Sequence, residues 1–417
     1  EAQNACHTWP HAVEFPIRFS DGRLNRFNKS VCLCYSLKMN AHLNWLDNET
    51  AQTALWISES GSQPPKHITL ADDTLSTEHA HKLASEGHAL LWRGDFQNAR
   101  HLLQSISRRL DKIKNKKTIK NNVVQSNLEV FHKHRMAQAQ RAHILNSIVI
   151  LVEKDHRIDL RRAPDVRDAC MEVLGVQRER YALPLRQLLA YVSAHEWRKK
   201  GVLIDALNSN IHPHYGVFSP VRGEYLELIK SAPLPNPCAT AWDIGTGTGV
   251  ISAILAKRGV KTIIATDTDS RALACAQENF ERLGIGAQVQ LHNADLFPKT
   301  TDKADLIVCN PPWLPAKAAA PIERAIFDEK SQMLKGFLHG VSAHLSAHGQ
   351  AWLIMSDFAE HLGLRSANEI TDIIEQSGLR LLKKHDIRPQ HGKVFDQTDP
   401  LHRARAQEVT SLWCLVR

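Results

Sequence analysis

The sequence predicts a two-part molecule, a mainly α-helical N-terminal half followed by an α/β half built on a mostly parallel sheet. Three observations carry this expectation. The chain of 417 residues exceeds what one ordinary core holds. From Phe96 to about Gly201, apolar residues recur at three-to-four spacing. After the prolines at 213, 220, 233, 235 and 237, strand-like runs alternate with helical ones over short connections, the pattern of parallel βαβ units.

Taken in order, residues 1–75 have mixed polarity and few periodic stretches, and read as an irregular or partly stranded lead-in. Residues 76–205 read as a helical, basic domain for substrate recognition. Gly94 as a stop and Asp95 as an N-cap introduce a helix whose apolar face is Phe96, Ala99, Leu102, Leu103, Ile106 and Leu110. A second helix is expected over Leu128 to Val152, and a third from Pro164 to Gly175. A fourth runs from Pro184 to near Gly201, with the proline-first, glycine-last asymmetry of helices. In residues 206–417 the expected strands are Ala241 to Ile244, Thr262 to Thr266, Ala287 to Leu291, Asp305 to Asn310 and Gln350 to Met355. The expected helices there are Val250 to Arg258, Ser270 to Leu283, and Ile322 to Leu338 closing over a site.

Composition narrows the class. With 43% apolar and 23% charged residues the chain reads as globular, and no run approaches the roughly 20 apolar residues of a membrane span. Eight scattered cysteines suggest neither a disulfide framework nor paired zinc spacing, and no secretory pattern precedes them, so a cytoplasmic setting is expected. The doublets Cys32/Cys34, His79/His81, His132/His134 and His212/His214 lack a second ligand set, so no metal is expected. Residues 101–200 carry 21 Lys+Arg against 10 Asp+Glu, and the flanking parts are near neutral. The densest run, Arg108, Arg109, Lys112, Lys114, Lys116, Lys117 and Lys120, is either a solvated helix end or a patch that contacts phosphates.

The first α/β strand ends in Asp243-Ile244-Gly245-Thr246-Gly247-Thr248-Gly249. Glycines allow a tight turn and close approach of a ligand, and the following helix N-terminus offers free N–H groups. The spacing departs from the dinucleotide pattern and points to a nucleoside ligand without a pyrophosphate. Asp267, at the next strand end, can accept from ribose hydroxyls, with Asp269 as a neighbouring alternative or a helix cap. Asp295 can accept from an adenine amino group while Leu296 or Phe297 walls the ring. Three acids at successive strand C-termini lie where ligands of open α/β sheets bind.

With these residues and Asn310-Pro311-Pro312-Trp313, the chain from about Tyr215 to Arg417 resembles the class I S-adenosylmethionine-dependent methyltransferases. Among them it looks like the small-domain amino-methyltransferases, which include HemK-type glutamine methyltransferases and enzymes that modify adenine or guanine. The segment Gly216-Val217-Phe218-Ser219-Pro220 is similar to one that borders the cofactor in that group. The resemblance implies a Rossmann-like, seven-stranded, mostly parallel sheet. It also implies S-adenosyl-L-methionine held by Phe218, Pro220, Asp243, Gly245, Thr246, Gly247, Gly249, Asp267, Thr268, Asp295, Leu296 and Asn310.

The same resemblance makes Asn310, Pro311, Pro312 and Trp313 the catalytic set. A planar amino group is a poor nucleophile because its lone pair is delocalised. If the Asn310 side-chain oxygen and the Pro311 carbonyl accept its two N–H bonds, positioning near the donor methyl does most of the work. The prolines fix the backbone and Trp313 stacks on a flat target. Trp313 departs from the Tyr or Phe commonest in the group. The expected activity is N-methylation of a nucleobase amine in RNA held by the basic run 108–120, with a protein glutamine amide or a small molecule as alternative acceptors.

Overall fold

The computed structural model describes residues 17–18, 24–25, 41–118, 125–220, 223–318, 321–390 and 394–417. In the N-terminal half, six strands form one sheet: β1 (His42–Asp47), β2 (Thr50–Trp56), β3 (His67–Ala71), β4 (His88–Trp92), β5 (Ile148–Val152) and β6 (Tyr181–Pro184), in the order β1-β2-β6-β5-β4-β3. Strands β3, β4 and β5 run parallel, β6 is antiparallel to β5, and β1–β2 is a hairpin. The helices are α1 (Thr77–Ser85), α2 (Phe96–Thr118), α3 (Asn127–Leu145), α4 (Arg167–Leu174) and α5 (Leu185–Lys200).

The expectation of a mainly α-helical N-terminal half is therefore corrected to α/β. The expected helix over Leu128 to Val152 is two elements. It ends at Leu145, capped by Asn146, and Ile148-Val149-Ile150-Leu151-Val152 is a central strand. Its alternate residues Ile148, Ile150 and Val152 face one core while Val149 and Leu151 face the other. A short apolar run reads equally as buried helix or buried strand; its β-branched residues and the Asn146-Ser147 break decide for the strand. His88–Trp92 gives no clear strand signal for the same reason, since Leu90 and Trp92 serve one face and Ala89 and Leu91 the other.

A hairpin of β7 (Val202–Ile204) and β8 (Ser209–Ile211) leads into the second half. There follow α6 (Glu224–Ser231), β9 (Thr240–Ile244), α7 (Val250–Lys257), β10 (Thr262–Asp267), α8 (Ser270–Arg282), β11 (Val289–Asn293), β12 (Ala304–Cys309), α9 (Gln332–Val341) and β13 (Leu345–Ser356). The chain ends with α10 (Phe358–His361), α11 (Glu369–Gln376), β14 (Arg380–Ile387), α12 (His402–Arg405) and β15 (Thr410–Val416). These strands form a seven-stranded sheet in the order β11-β10-β9-β12-β13-β15-β14. Only the pairings of β15 are antiparallel, so the sheet is the mostly parallel Rossmann-like one expected. Helix α9 covers only the last part of the helix expected over Ile322 to Leu338, which begins with short 3₁₀ turns instead. Each sheet face has its own apolar layer, α7 and α8 on one side and α9 and α11 on the other.

The halves meet through charged and apolar contacts. Arg198 of α5 donates to Glu278 of α8 at 2.5 Å, and His214 Nε2 lies 2.9 Å from the same carboxylate. The His214 hydrogen bond first, then Arg198, hold the Glu278 carboxyl at about 2, well below the usual carboxylate range. Among the described residues no helix is long and apolar enough to cross a membrane.

Candidate active site

Strand register builds the site. Ile244 pairs with both Thr266 and Cys309, and Asp267 pairs with Asn293. The glycine turn, Asp267, the 294–297 segment and Asn310 thus leave neighbouring strands at one edge, the carboxyl end where open α/β sheets bind ligands.

The turn is drawn tight by its neighbour, since the N–H groups of Gly245 and Thr246 both donate to the Thr266 carbonyl at 2.9 Å. Its glycines do different things. A Cβ on Gly247 would meet nothing within 4 Å, so that backbone is open to a ligand. A Cβ on Gly249 would lie 2.4 Å from Phe280, a side chain 1% exposed, and the residue has φ +80°. Gly249→Ala is expected to destabilise the fold by about 2–4 kcal/mol, from left-handed strain plus overpacking. Urea unfolding of the variant would check this.

Asp243 is fully buried. Its Oδ2 accepts from the Thr246 hydroxyl (2.7 Å), the Ser252 hydroxyl (2.7 Å) and the Ser252 N–H (3.1 Å). Its Oδ1 is buried with no hydrogen-bond partner. Asp267 Oδ2 accepts from Gly247 N–H at 3.0 Å and Oδ1 from Asp269 N–H at 2.9 Å. Burial raises the pKa of both acids, and no cationic side chain among the described residues forms an ion pair with either. Asp269 is a helix cap, accepting from Arg271 N–H at 2.9 Å. Thr268 and Asp295 are exposed at the same edge, as is Phe218 (41%), whereas Pro220 is buried.

Leu296 takes φ +62° and its carbonyl accepts from the Thr266 hydroxyl at 2.6 Å, fixing the bend after β11. Phe297 turns inward to stack on His344, with ring centroids 4.5 Å apart. Leu296 packs against the same apolar layer, its side chain over Gly336 of α9.

Asn310 follows β12 directly. Its side-chain oxygen accepts from the Trp313 indole N–H at 2.9 Å, so the residue that departs from the usual Tyr or Phe spends its donor inside the motif. Pro311 is buried, Pro312 half-buried, and Trp313 packs against the apolar layers on both faces of the sheet. The Trp313 carbonyl accepts from Arg365 at 3.0 Å, and Arg365 is buried beside Glu360. Arg365, Ser252 and Met333, whose methyl lies over Gly245, carry no sequence signal because each reaches the site only through tertiary packing. Cys309 is fully buried, and burial pushes its thiol well above the ordinary range, which fits packing rather than nucleophilic use.

Residues 208–368 match the family described as "Methyltransferase small domain". This part of the chain is similar to that family. The release factor glutamine methyltransferase of Cereibacter sphaeroides is 32% identical over 170 residues, 38% of this chain and 58% of its own length. The tRNA1(Val) (adenine(37)-N6)-methyltransferase of Cytophaga hutchinsonii is 30% identical over 145 residues, 34% of this chain and 61% of its own. The solved ribosomal protein L11 methylase of Lactobacillus delbrueckii subsp. bulgaricus aligns with TM-score 0.35 and 19% identity, covering 50% of this chain and 86% of its own. The chain thus spans about three fifths of the length of the two curated relatives. The matched segment 208–368 contains every candidate site residue named from the sequence; the basic run lies outside it. In that run Arg108 and Lys112 are exposed and Arg109 pairs with Glu78 at 3.2 Å. The side chains of Lys114, Lys116, Lys117 and Lys120, like Cys32 and Cys34, lie outside the described residues. Among the described residues no group of three His, Cys, Asp or Glu is placed to hold a metal.

Proposed function

We propose that this chain is an S-adenosylmethionine-dependent N-methyltransferase whose acceptor is an exocyclic amine of an RNA base. The observation that carries the reading is the pairing of Ile244 with Cys309, which sets Asn310 beside the glycine turn. S-adenosylmethionine supplies an electrophilic methyl group on a sulfonium. The residues fit a cationic nucleoside of this kind. Two acids raised by burial have no paired cation, one has an oxygen with no partner, and the Gly247 backbone is open. Asp267 and Asp295 would hold the ribose and base, and the 218–220 segment would border them.

Asn310 Oδ1 and the Pro311 carbonyl receive the two N–H groups of the acceptor. Transfer would form the N–C bond as the donor's C–S bond breaks, with S-adenosylhomocysteine as the leaving group, and the proton left on nitrogen would pass to solvent. The oxygen of Asn310 has a second lone pair, so its bond to Trp313 leaves room for the acceptor. That bond also fixes which way the carboxamide points. RNA is favoured by the net +11 of residues 101–200, outside the matched segment, and by the relative named for tRNA adenine methylation. The relative named for glutamine methylation supports a protein amide as the second reading.

Incubation with methyl-labelled cofactor and separate RNA and protein fractions tests this. Label that enters RNA and disappears on nuclease treatment is the expected result. Label confined to protein and insensitive to nuclease would transfer the assignment to the amide, and no label anywhere would reject the activity.

A further inference from the structure

Helix α3 belongs to the N-terminal half, yet its two ends are anchored in different halves of the molecule. At its C-terminal end Ile144 and Leu145 are buried in the first core, and Arg141 donates to Asp111 (2.8 Å) and the Ser107 hydroxyl (2.5 Å) of α2. At its N-terminal end, closed by a Ser126–Glu129 capping box, Phe131 is 3% exposed among Leu314, Phe358, Leu362 and Leu401 of the other half. Asn127 donates to the His361 carbonyl at 2.7 Å. Arg135 donates to the Lys317 carbonyl at 3.0 Å, reaches Glu323 at 3.5 Å, and lies 4.2 Å over the Phe327 ring.

Between these anchors residues 136–140 are exposed on every face. A helix lying on a core buries one stripe, whereas one exposed all round is a bridge between separate bodies. The places where α3 lands are specific. Leu314 directly follows the Asn310–Trp313 motif, and Lys317 lies three residues further on. Leu314 N–H and carbonyl bond to the Ile326 carbonyl and Asp328 N–H, tying the two limbs of the segment together. Phe358 and His361 bound the short helix α10 that carries Glu360, the partner of Arg365, and Arg365 holds the Trp313 carbonyl. Both supports of the acceptor motif therefore rest against α3.

We infer that α3 braces the acceptor side of the site, with Arg135 and Phe131 as positioning residues that aim Asn310 and Trp313 through the 314–318 and 323–328 segments. This rests on the methyltransferase reading above and adds that the methyltransferase domain is incomplete without a helix from the preceding half. Positioning to within about 1 Å decides rates of this kind, and a misplacement of that size costs about a hundredfold.

The test uses the full chain with Arg135→Ala, and Arg135→Lys as the conservative variant. Amide hydrogen exchange across 314–318 and 323–328 is expected to accelerate at least about tenfold in Arg135→Ala, with exchange across 243–249 unchanged. Affinity for S-adenosylhomocysteine should stay within about twofold, while kcat for labelling of the RNA fraction falls at least about tenfold with KM for the methyl donor unchanged. Lysine restores one bond to the Lys317 carbonyl but neither the fork nor the ring contact, so an intermediate kcat is expected. An active wild type whose Arg135→Ala variant keeps its exchange pattern, or keeps its kcat, overturns the inference and leaves the activity standing. A folded wild type that labels nothing overturns the activity and this inference with it.

Discussion

Asn310→Ala is expected to lower methyl transfer by about 10²–10³-fold while leaving the affinity for S-adenosylhomocysteine within about twofold. The loss follows from removing a preorganised acceptor that acts on the reacting nitrogen, an effect of about 3–4 kcal/mol where a single such group is deleted. The affinity is expected to stay because the proposed cofactor edge, the glycine turn and Asp267, is held by hydrogen bonds that do not pass through the carboxamide. Trp313→Phe is the informative companion. It keeps a ring between the two apolar layers and removes the N–H that holds the Asn310 oxygen at 2.9 Å. Single-turnover labelling compared with calorimetry on the same samples separates the two readouts. Normal turnover by Asn310→Ala would remove Asn310 from the chemistry.

Asp267→Ala is expected to weaken cofactor binding by about a hundredfold. Charge-assisted hydrogen bonds contribute about 1.5–3 kcal/mol each, and on the proposed reading this carboxylate accepts from the ribose hydroxyls of the methyl donor. Part of the loss is indirect, because Gly247 and Asp269 both lose the acceptor of their N–H groups and the glycine turn loosens. Asp267→Asn retains one acceptor and separates charge from scaffold. The sign with pH follows from the same burial. Since the folded pKa is raised, the carboxylate begins to protonate at a higher pH than an exposed aspartate, and affinity falls as pH is lowered through that range. Titration calorimetry from neutral to mildly acid pH measures it; an affinity for Asp267→Ala equal to wild type would assign the ribose contact elsewhere.

Local chemistry explains which features are legible in the amino-acid sequence. The glycine turn, the acids at the ends of β9 and β10, and the Asn-Pro-Pro turn are contiguous stretches whose residue types have few alternative uses, so sequence alone gathers them. The N-terminal sheet is hidden because its strands are apolar on both faces, and His88–Trp92 or Ile148–Val152 shows no alternation to distinguish it from helix. The second layer around the site is hidden for a different reason. Ser252 of α7 meets Asp243 of β9 across nine residues and the glycine turn, Arg365 meets Trp313 across 52 residues, and Phe131 meets Leu314 from another half of the chain. No spacing rule links such pairs; they follow only once both sheets are assembled.

Each half has its own main apolar interior, and what joins them is one bridging helix with its shared apolar cluster, the Tyr191–Tyr215 contact and the Arg198–Glu278 ion pair. Melting of this molecule is therefore expected to depart from a single two-state transition, which calorimetry of the full chain would check. A nucleoside bound at the glycine turn stabilises the later half directly and reaches the earlier half only through these contacts.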